Sequence, residues 1–198
     1  MAHSFCIDIT SEEKRQLMEI ARQSIDEGLK NGAALEIDSS QSRGNLDKIL
    51  ASFVTLTQKG ELRGCMGSLQ ASEALAQSVA NTAYNAAVRD PRFPKLTAEE
   101  LPDTDIEISI LSPMEPLSAT SQIDLLNQLK PGIDGLLIED GHHRATFLPQ
   151  VWNKLNRPQD FFRQLLLKAG LPPNHWSDNI RVSRYQTLSF DEYGSLDT

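Results

Sequence analysis

Residues 53–69 read FVTLTQKGELRGCMGSL and constrain the fold more than any other stretch of the chain. The first five of these residues are β-branched or large and apolar, which favours a strand. The polar residues 58–61, with their single glycine, are typical of a short hairpin turn. The sequence therefore predicts a β-hairpin whose returning strand runs through residues 62–69.

The returning strand carries an arginine and a cysteine. Because side chains alternate across a strand, we expect Arg63 and Cys65 to share one face. Leu62 and Met66 are expected on the opposite face. A guanidinium beside a thiol favours the thiolate, which is the form that acts as a nucleophile or metal ligand. The other interpretation is that Cys65 is a small buried apolar side chain, as free cysteines very often are.

Two glycines, Gly64 and Gly67, flank the cysteine. Glycine weakens a strand interior, so each position indicates a bulge, or a place where a ligand or another backbone comes close. With Arg63 and Cys65, these glycines are the first candidates for a ligand-binding site.

Composition excludes several classes of function. Nineteen Lys and Arg against 27 Asp and Glu give a net charge of −8, which argues against nucleic-acid or membrane partners that bind through clustered positive charge. Cys6 and Cys65 cannot form a disulfide framework, and the sequence has no zinc-type Cys/His spacing. The N-terminus has neither a basic segment nor a long apolar run, and no window is apolar enough to span a membrane. We therefore expect a cytoplasmic protein.

The remaining elements follow from periodicity and capping signals. Residues 1–8 are expected to form an arm or edge strand, and residues 39–44 the most flexible connection. In the first half of the chain, the patterns predict a helix from a capping box at Thr10–Glu13 to residues 28–32, an alanine-rich helix capped by Ser72, and a strand over 104–110. In the second half, they predict a short helix over 121–129, a hairpin over 135–148, a helix from Pro158 to Gly170, and one long strand over 180–190.

These elements predict an α+β fold in which helices pack on one face of antiparallel sheets. Hairpin, helix and strand occur in that order over residues 53–111 and again over 135–190, which indicates two related halves. We expect one domain over residues 1–198, with the alternative of two lobes at about 1–118 and 119–198. No nucleotide-phosphate loop motif is present.

Further candidate residues lie outside the hairpin. Asp90 and Arg92, in a turn with two prolines, either place a second charge pair at the hairpin's rim or form a structural salt link. Glu107 faces away from the isoleucines of its strand and is either solvated or across the sheet from Arg63. Gln150, near a helix start, is either ligand-facing or capping.

The histidines do not predict a metal site. His142 and His143 lie beside a tight turn, which favours a solvated surface, and His175 favours a packing or capping role. No His, Asp and Glu cluster has ligand spacing, so we predict no metal and no cofactor. A nucleophilic Cys65 would also need a base, which the sequence does not identify.

Several motifs in order along the chain carry a family resemblance. They are FVTL at 53–56, LRGCMG at 62–67, Ala86-Ala87 followed by DPRF at 90–93, IEIS and LSP within 106–113, GIDGLLI at 132–138, FLPQV at 147–151 and KAGL at 168–171. With these motifs the chain resembles the AMMECR family, whose prokaryotic members are called AmmeMemoRadiSam system protein A. Two positions depart from the family pattern: Met66 replaces the usual isoleucine, and leucine stands where the family often has a cysteine before Lys168.

The resemblance implies an α+β fold with two related β-rich halves. It also implies an association with a Memo-like protein and a radical-SAM protein, which suggests one component of a modification pathway. Three hypotheses follow for residues 62–67: a ligand- or substrate-binding surface, an enzyme whose Cys65 thiolate is activated by Arg63, or a protein–protein adaptor. An adaptor should have an exposed apolar patch around the hairpin in place of a pocket.

Overall fold

The computed structural model describes residues 8–38 and 44–192. The predicted arm over residues 1–8 and Cys6, and the predicted loop over residues 39–44, lie mostly or wholly outside this range. The helices are α1 (Ser11–Asn31), α2 (Leu75–Val88), α3 (Gln122–Gln128) and α4 (Pro158–Lys168). The strands are β1 (Ala51–Gln58), β2 (Glu61–Gly67), β3 (Asp105–Leu111), β4 (Glu115–Leu117), β5 (Gly135–Asp140), β6 (His143–Phe147), β7 (Arg181–Tyr185) and β8 (Thr187–Asp191).

The chain divides into two compact units. The first is made of two segments, the chain up to Leu111 and the chain from Leu188 onward. Its sheet has the strand order β2-β1-β3-β8. Alternate residues of β1 and β3 form one apolar face that is buried against α1 and α2, among them Val54, Leu56, Ile106 and Ile108. The alanines of α2 allow that helix to pack closely on the sheet, as the sequence predicted.

Capping residues fix the first helix as predicted, but not the second. Thr10 and Glu13 form the capping box of α1, and Gly32 ends it at φ 77°. The predicted cap of α2 at Ser72 is wrong, because α2 begins at Leu75, whose backbone N–H donates to Lys48 O at 2.9 Å. A backbone carbonyl therefore takes the place of a capping side chain.

The second unit comprises Ser112–Thr187. Its sheet has the order β4-β7-β5-β6, and α4 buries Phe161, Phe162, Leu165 and Leu166 against it. Trp152 stacks on Phe161 with 3.9 Å between ring centroids. Pro158 begins α4, and Gly170 follows its end at φ 76°, both as predicted.

The two units repeat one arrangement, so the predicted α+β fold with two related halves is confirmed. In each unit a hairpin and the strand after the next helix form an antiparallel set, β2-β1-β3 in the first and β6-β5-β7 in the second. The single strand predicted over 180–190 is wrong, because it divides at Gln186, whose N–H and C=O both bond to Ser112. No helix within residues 8–38 and 44–192 is both long and apolar enough to cross a membrane.

Candidate functional site

A β-bulge at Arg63 determines which face of the sheet each side chain of β2 occupies. Leu56 pairs with Gly64, but Thr57 pairs with Leu62, so Arg63 is an extra residue in β2. Thr55 pairs with Cys65 and lies on the same face as Thr57. Leu62 therefore lies on the Cys65 face, and the predicted alternation, which put Leu62 with Met66, is wrong because the bulge interrupts it.

Arg63 binds the loop that follows the two prolines. Its guanidinium donates to both carboxylate oxygens of Glu100 at 3.2 and 3.1 Å, to Pro94 O at 2.8 Å and to Lys95 O at 3.3 Å. The Arg63 side chain is 12% exposed, and its hydrogen bonds lower the pKa of Glu100. The hydrogen bonds of this guanidinium thus go to the loop, and not to the Cys65 thiol as the sequence suggested.

Both glycines of β2 are sites of close approach within the protein. A Cβ on Gly64 would lie 2.3 Å from Ala86 O in α2, and one on Gly67 would lie 2.3 Å from the Phe53 ring. Another backbone and an aromatic ring therefore occupy the space that a side chain would need. The ligand contact predicted for these glycines stays a prediction.

Asp90 is the buried centre of the site. It is 5% exposed, and its carboxylate accepts hydrogen bonds from Cys65 N at 2.9 Å, from Arg92 N at 3.1 Å and from the Arg92 guanidinium at 2.7 and 2.9 Å. Hydrogen bonds from the Arg92 guanidinium, and then from the two backbone N–H groups, hold the pKa of Asp90 well below its usual range. Their effect outweighs burial, which acts to raise this pKa. Asp90 is thus a carboxylate that fixes both Cys65 and Arg92.

Arg92 is the guanidinium that contacts Cys65. Its Nη2 donates to Cys65 O at 3.2 Å, and its side chain is 54% exposed. The pKa of Arg92 is raised, first by its hydrogen bonds to Asp90 and to a smaller degree by the Cys65 side chain. Asp90 and Arg92 were predicted to form either a charge pair at the rim of the hairpin or a structural salt link. These alternatives describe one arrangement, because the salt link of the double-proline turn lies beside Cys65.

The same contacts protect an edge of the sheet. β2 is the outer strand of its sheet, and the N–H and C=O groups of Cys65 are among those that point away from β1. Asp90 accepts from the N–H, and Arg92 donates to the C=O. Side chains of the turn thereby replace a further strand at this position and satisfy both peptide groups of Cys65.

A row of three polar side chains crosses the sheet from Cys65. Thr55 pairs with Cys65 on one side and with Glu107 on the other, so the three share the face opposite α1 and α2. The Thr55 hydroxyl donates to Cys65 Sγ at 3.5 Å. We call Cys65, Thr55 and Glu107 the polar row. Glu107 was expected either in solvent or across from Arg63; it is half-buried and lies across from Cys65.

The carboxylate of Glu107 is in an unfavourable environment for negative charge. Burial, followed by the nearby charge of Asp191, raises the pKa of Glu107, while the Ser109 hydroxyl opposes the rise. Ser109 is itself buried and hydrogen-bonded to the Ser189 hydroxyl at 2.8 Å. Among the described residues no cationic side chain forms a salt bridge with Glu107.

Three further candidates, Gln150, His143 and His175, lie in the second unit. Gln150 is exposed, as the second residue of a 3₁₀ turn over Pro149–Asn153. His175 Nε2 is 2.6 Å from Asp140 Oδ2, and His143 Nδ1 is 2.8 Å from Ala169 O. In the part of the chain that the structure describes, no group of three or more His, Cys, Asp or Glu residues is arranged to hold a metal ion.

The adaptor hypothesis predicts exposed apolar side chains around the hairpin. Among the described residues of the hairpin, Leu62 is the one large apolar side chain that is clearly exposed, at 43%. One exposed leucine is much smaller than the patches that mark protein–protein interfaces.

Sequence reasoning missed Thr55 and Glu100, two residues that define the surroundings of Cys65 and Arg63. Thr55 was assigned to a strand, but its partner on each side depends on the register of β1 with β2 and β3. Glu100 lies 37 residues from Arg63 in a loop, where no periodic pattern indicates a contact.

Comparison with known proteins gives a consistent result. The family model described as AMMECR1 matches residues 18–190. A protein of Methanothermobacter thermautotrophicus is 38% identical over 194 residues, covering 94% of this chain and 97% of the relative. A protein of Thermococcus gammatolerans is 34% identical, covering 89% and 88%. The crystal structure of the uncharacterized protein PH0010 from Pyrococcus horikoshii is similar with a TM-score of 0.83, at 30% identity and 94% coverage of both chains.

Proposed function

We propose, on the premise that this chain belongs to the AMMECR1 family, that it is a substrate- or ligand-binding component of a modification pathway that acts with a Memo-like protein and a radical-SAM protein. The contact surface is the Cys65 site, which we define as Thr55, Cys65, Asp90 and Arg92. The family resemblance supports the choice of partners, and the geometry around Cys65 supports the choice of contact surface.

The observation that carries this proposal is the Asp90 carboxylate. It holds the Cys65 peptide and the Arg92 guanidinium together, and it leaves that guanidinium half-exposed beside the thiol. A half-exposed guanidinium on a rigid strand edge is suited to bind an anionic or carbonyl group of a ligand. Rigid positioning also lowers the entropic cost of binding.

The proposal is tested by measuring the binding of the Memo-like and radical-SAM proteins to the intact chain by titration calorimetry. Cys65→Ala and Thr55→Val change the contact surface without removing the Asp90–Arg92 pair. We expect Cys65→Ala to weaken binding about tenfold, because it truncates the side chain at the centre of the contact surface, and Thr55→Val about threefold, in the range of a lost interface hydrogen bond. Ser72→Ala, an exposed residue outside the site, is the matched control and should bind like the wild type. Wild-type affinity in both site variants, or no binding of either protein to the wild type, would contradict the proposal.

A second candidate function is an enzyme whose nucleophile is the Cys65 thiolate. It is favoured by the Thr55 hydroxyl, which donates to the sulfur, and by Arg92, which replaces Arg63 as the nearby guanidinium. The test is the rate of iodoacetamide alkylation at pH 7 in a Cys6→Ser background. We expect a rate above that of a free thiol, lowered in Arg92→Lys and Thr55→Val and unchanged in Arg63→Lys. An inert thiol in the folded protein would exclude the nucleophile.

A further inference from the structure

The position of Glu107 relative to Cys65 indicates the class of ligand. Cys65 and Glu107 flank Thr55 on the same face of the first sheet. Neighbouring strands are about 4.8 Å apart, so the two spacings from β2 across β1 to β3 separate the thiol and carboxylate positions by about 10 Å. A small molecule or an extended side chain in contact with Cys65 can therefore reach Glu107 along the polar row.

The surface between these two ends is polar. Helices α1 and α2 pack on the opposite, apolar face of the sheet, where Val54, Leu56 and Ile108 are fully buried. On the polar face, Cys65, Thr55 and Glu107 are each partly exposed. The row thus offers a thiol, a hydroxyl and a carboxylate in sequence to a molecule that lies across the strands.

A positive charge beside Glu107 would stabilise the carboxylate at the end of the row. Within the described residues Glu107 has the Ser109 hydroxyl as a hydrogen-bonding neighbour and Asp191 as a neighbour of like charge. A half-buried carboxylate with a like charge beside it is stabilised when a cation binds there. Among the described side chains, no salt bridge to Glu107 supplies that cation.

We propose that the ligand of the Cys65 site carries a protonated amine that binds Glu107, about 10 Å from the group that contacts Cys65. An amino-terminal or lysine-like ammonium meets this requirement, because it donates up to three hydrogen bonds to carboxylate and hydroxyl oxygens. This inference rests on the proposed function, since it assumes that the ligand contacts Cys65.

Disulfide exchange tests the inference without knowledge of the natural ligand. In a Cys6→Ser background, the Cys65 thiolate attacks a symmetric disulfide probe, so that one protein–probe S–S bond forms, the probe S–S bond breaks, and one thiolate leaves. The probes are the disulfides of 6-aminohexanethiol, 6-mercaptohexanol and 2-aminoethanethiol. Equilibrium occupancy of Cys65 is measured by intact-protein mass spectrometry against a fixed concentration of 2-mercaptoethanol.

We expect the long amine to occupy Cys65 about tenfold more than the long alcohol, as a hydrogen bond to a charged group would give. The short amine should show little preference, because it cannot span two strands. Glu107→Gln should abolish the preference, and Glu107→Asp should keep most of it. Glu61→Gln, an exposed carboxylate at the start of the same β2 strand, is the matched control and should leave the preference unchanged.

The outcomes separate this inference from the proposed function. No mixed disulfide with any probe would show an inaccessible thiol, and would overturn the Cys65 site and this inference together. Equal occupancy by the amine and the alcohol, or a preference that persists in Glu107→Gln, would overturn the amine site alone. Thermal unfolding of each variant shows whether the fold is retained, so a loss of preference with an unchanged midpoint is assigned to the carboxylate.

Discussion

The two units use one arrangement of hairpin, helix and strand, but they place different chemistry at the same positions. In the first unit, the row across the sheet is Cys65, Thr55 and Glu107. The corresponding row of the second unit is Thr146, Leu137 and Ser183. The shared backbone therefore does not require a thiol or a carboxylate at these positions, and the two units differ in side-chain chemistry on the same backbone arrangement.

The outer strands of the two hairpins are also held differently. In the first unit, Asp90 and Arg92 bind both peptide groups of Cys65. In the second unit, the Lys168 ammonium donates to Thr146 O at 3.0 Å. A buried carboxylate with a guanidinium gives a more rigid link than an exposed lysine, so the first unit should be far more sensitive to loss of its link.

The largest expected effect comes from Asp90. We expect Asp90→Ala to lower the free energy of unfolding by about 3 kcal/mol. This value is at the lower end of the range for breaking a buried ion pair, because Arg92 is half-exposed. Lys168→Met, the matched change in the second unit, should cost under about 1 kcal/mol. Urea unfolding measures both, and equal costs would refute the claim that the first link is the stronger.

The next effect tests why β2 has a glycine where β6 has an alanine. Gly64 pairs with Leu56 as Ala145 pairs with Ile138, but a Cβ on Gly64 would lie 2.3 Å from the Ala86 carbonyl. We expect Gly64→Ala to cost about 2 kcal/mol, because a backbone atom has little room to move. Ala145→Gly should cost about 1 kcal/mol through strand flexibility and lost packing. A Gly64→Ala variant as stable as the wild type would show that α2 can shift away.

Arg63 and Arg144 form a smaller pair of contrasts. Arg63 makes four hydrogen bonds from a largely buried position, whereas Arg144 forms a salt bridge with Glu139 at 3.3 Å and is 54% exposed. We expect Arg63→Lys to cost about 1.5 kcal/mol, because an ammonium cannot reproduce the bidentate contact, and Arg144→Lys to be nearly neutral. Limited proteolysis should cleave residues 94–104 faster in Arg63→Lys. Unchanged proteolysis there would contradict the role of Arg63 in holding that loop.

These contrasts show how far the sequence determines the fold and the site. Alternation, capping and turn residues were enough to predict most helices and strands, because each signal is local. The bulge at Arg63, the link from Asp90 to Cys65 and the polar row depend on pairing between segments distant in sequence. The sequence therefore identified Cys65, Asp90, Arg92 and Glu107 as candidates, but it expected Arg63 beside the thiol, whereas the guanidinium that contacts the Cys65 peptide is that of Arg92.

The smallest expected effect compares a buried aspartate from each unit. Asp134 is fully buried, and its Oδ2 accepts from Lys130 N at 2.8 Å, while its Oδ1 has no hydrogen-bond partner within the described residues. Burial raises the pKa of Asp134, with the Lys130 N–H as the largest opposing contribution. The pKa of Asp90 is shifted in the opposite direction. The two residues should therefore give stability opposite dependences on pH.

The unfolded chain releases the Asp134 proton at a pKa of about 3.9, whereas the folded chain retains it to a higher pH. The contribution of Asp134 to the free energy of unfolding therefore falls as pH rises from the unfolded pKa to the folded pKa. For Asp90 the contribution is complete above about pH 4 and is lost as pH falls toward the folded pKa.

We expect Asp134→Asn to stabilise the protein by about 1 kcal/mol at pH 8 and by much less at pH 4, in line with the cost of an unsatisfied buried group. Asp90→Asn should instead destabilise at pH 8, with a deficit that shrinks below pH 4. Urea unfolding of both variants from pH 3 to 8 measures the two slopes, and slopes of the same sign would show that the Asp134 carboxylate is stabilised as Asp90 is.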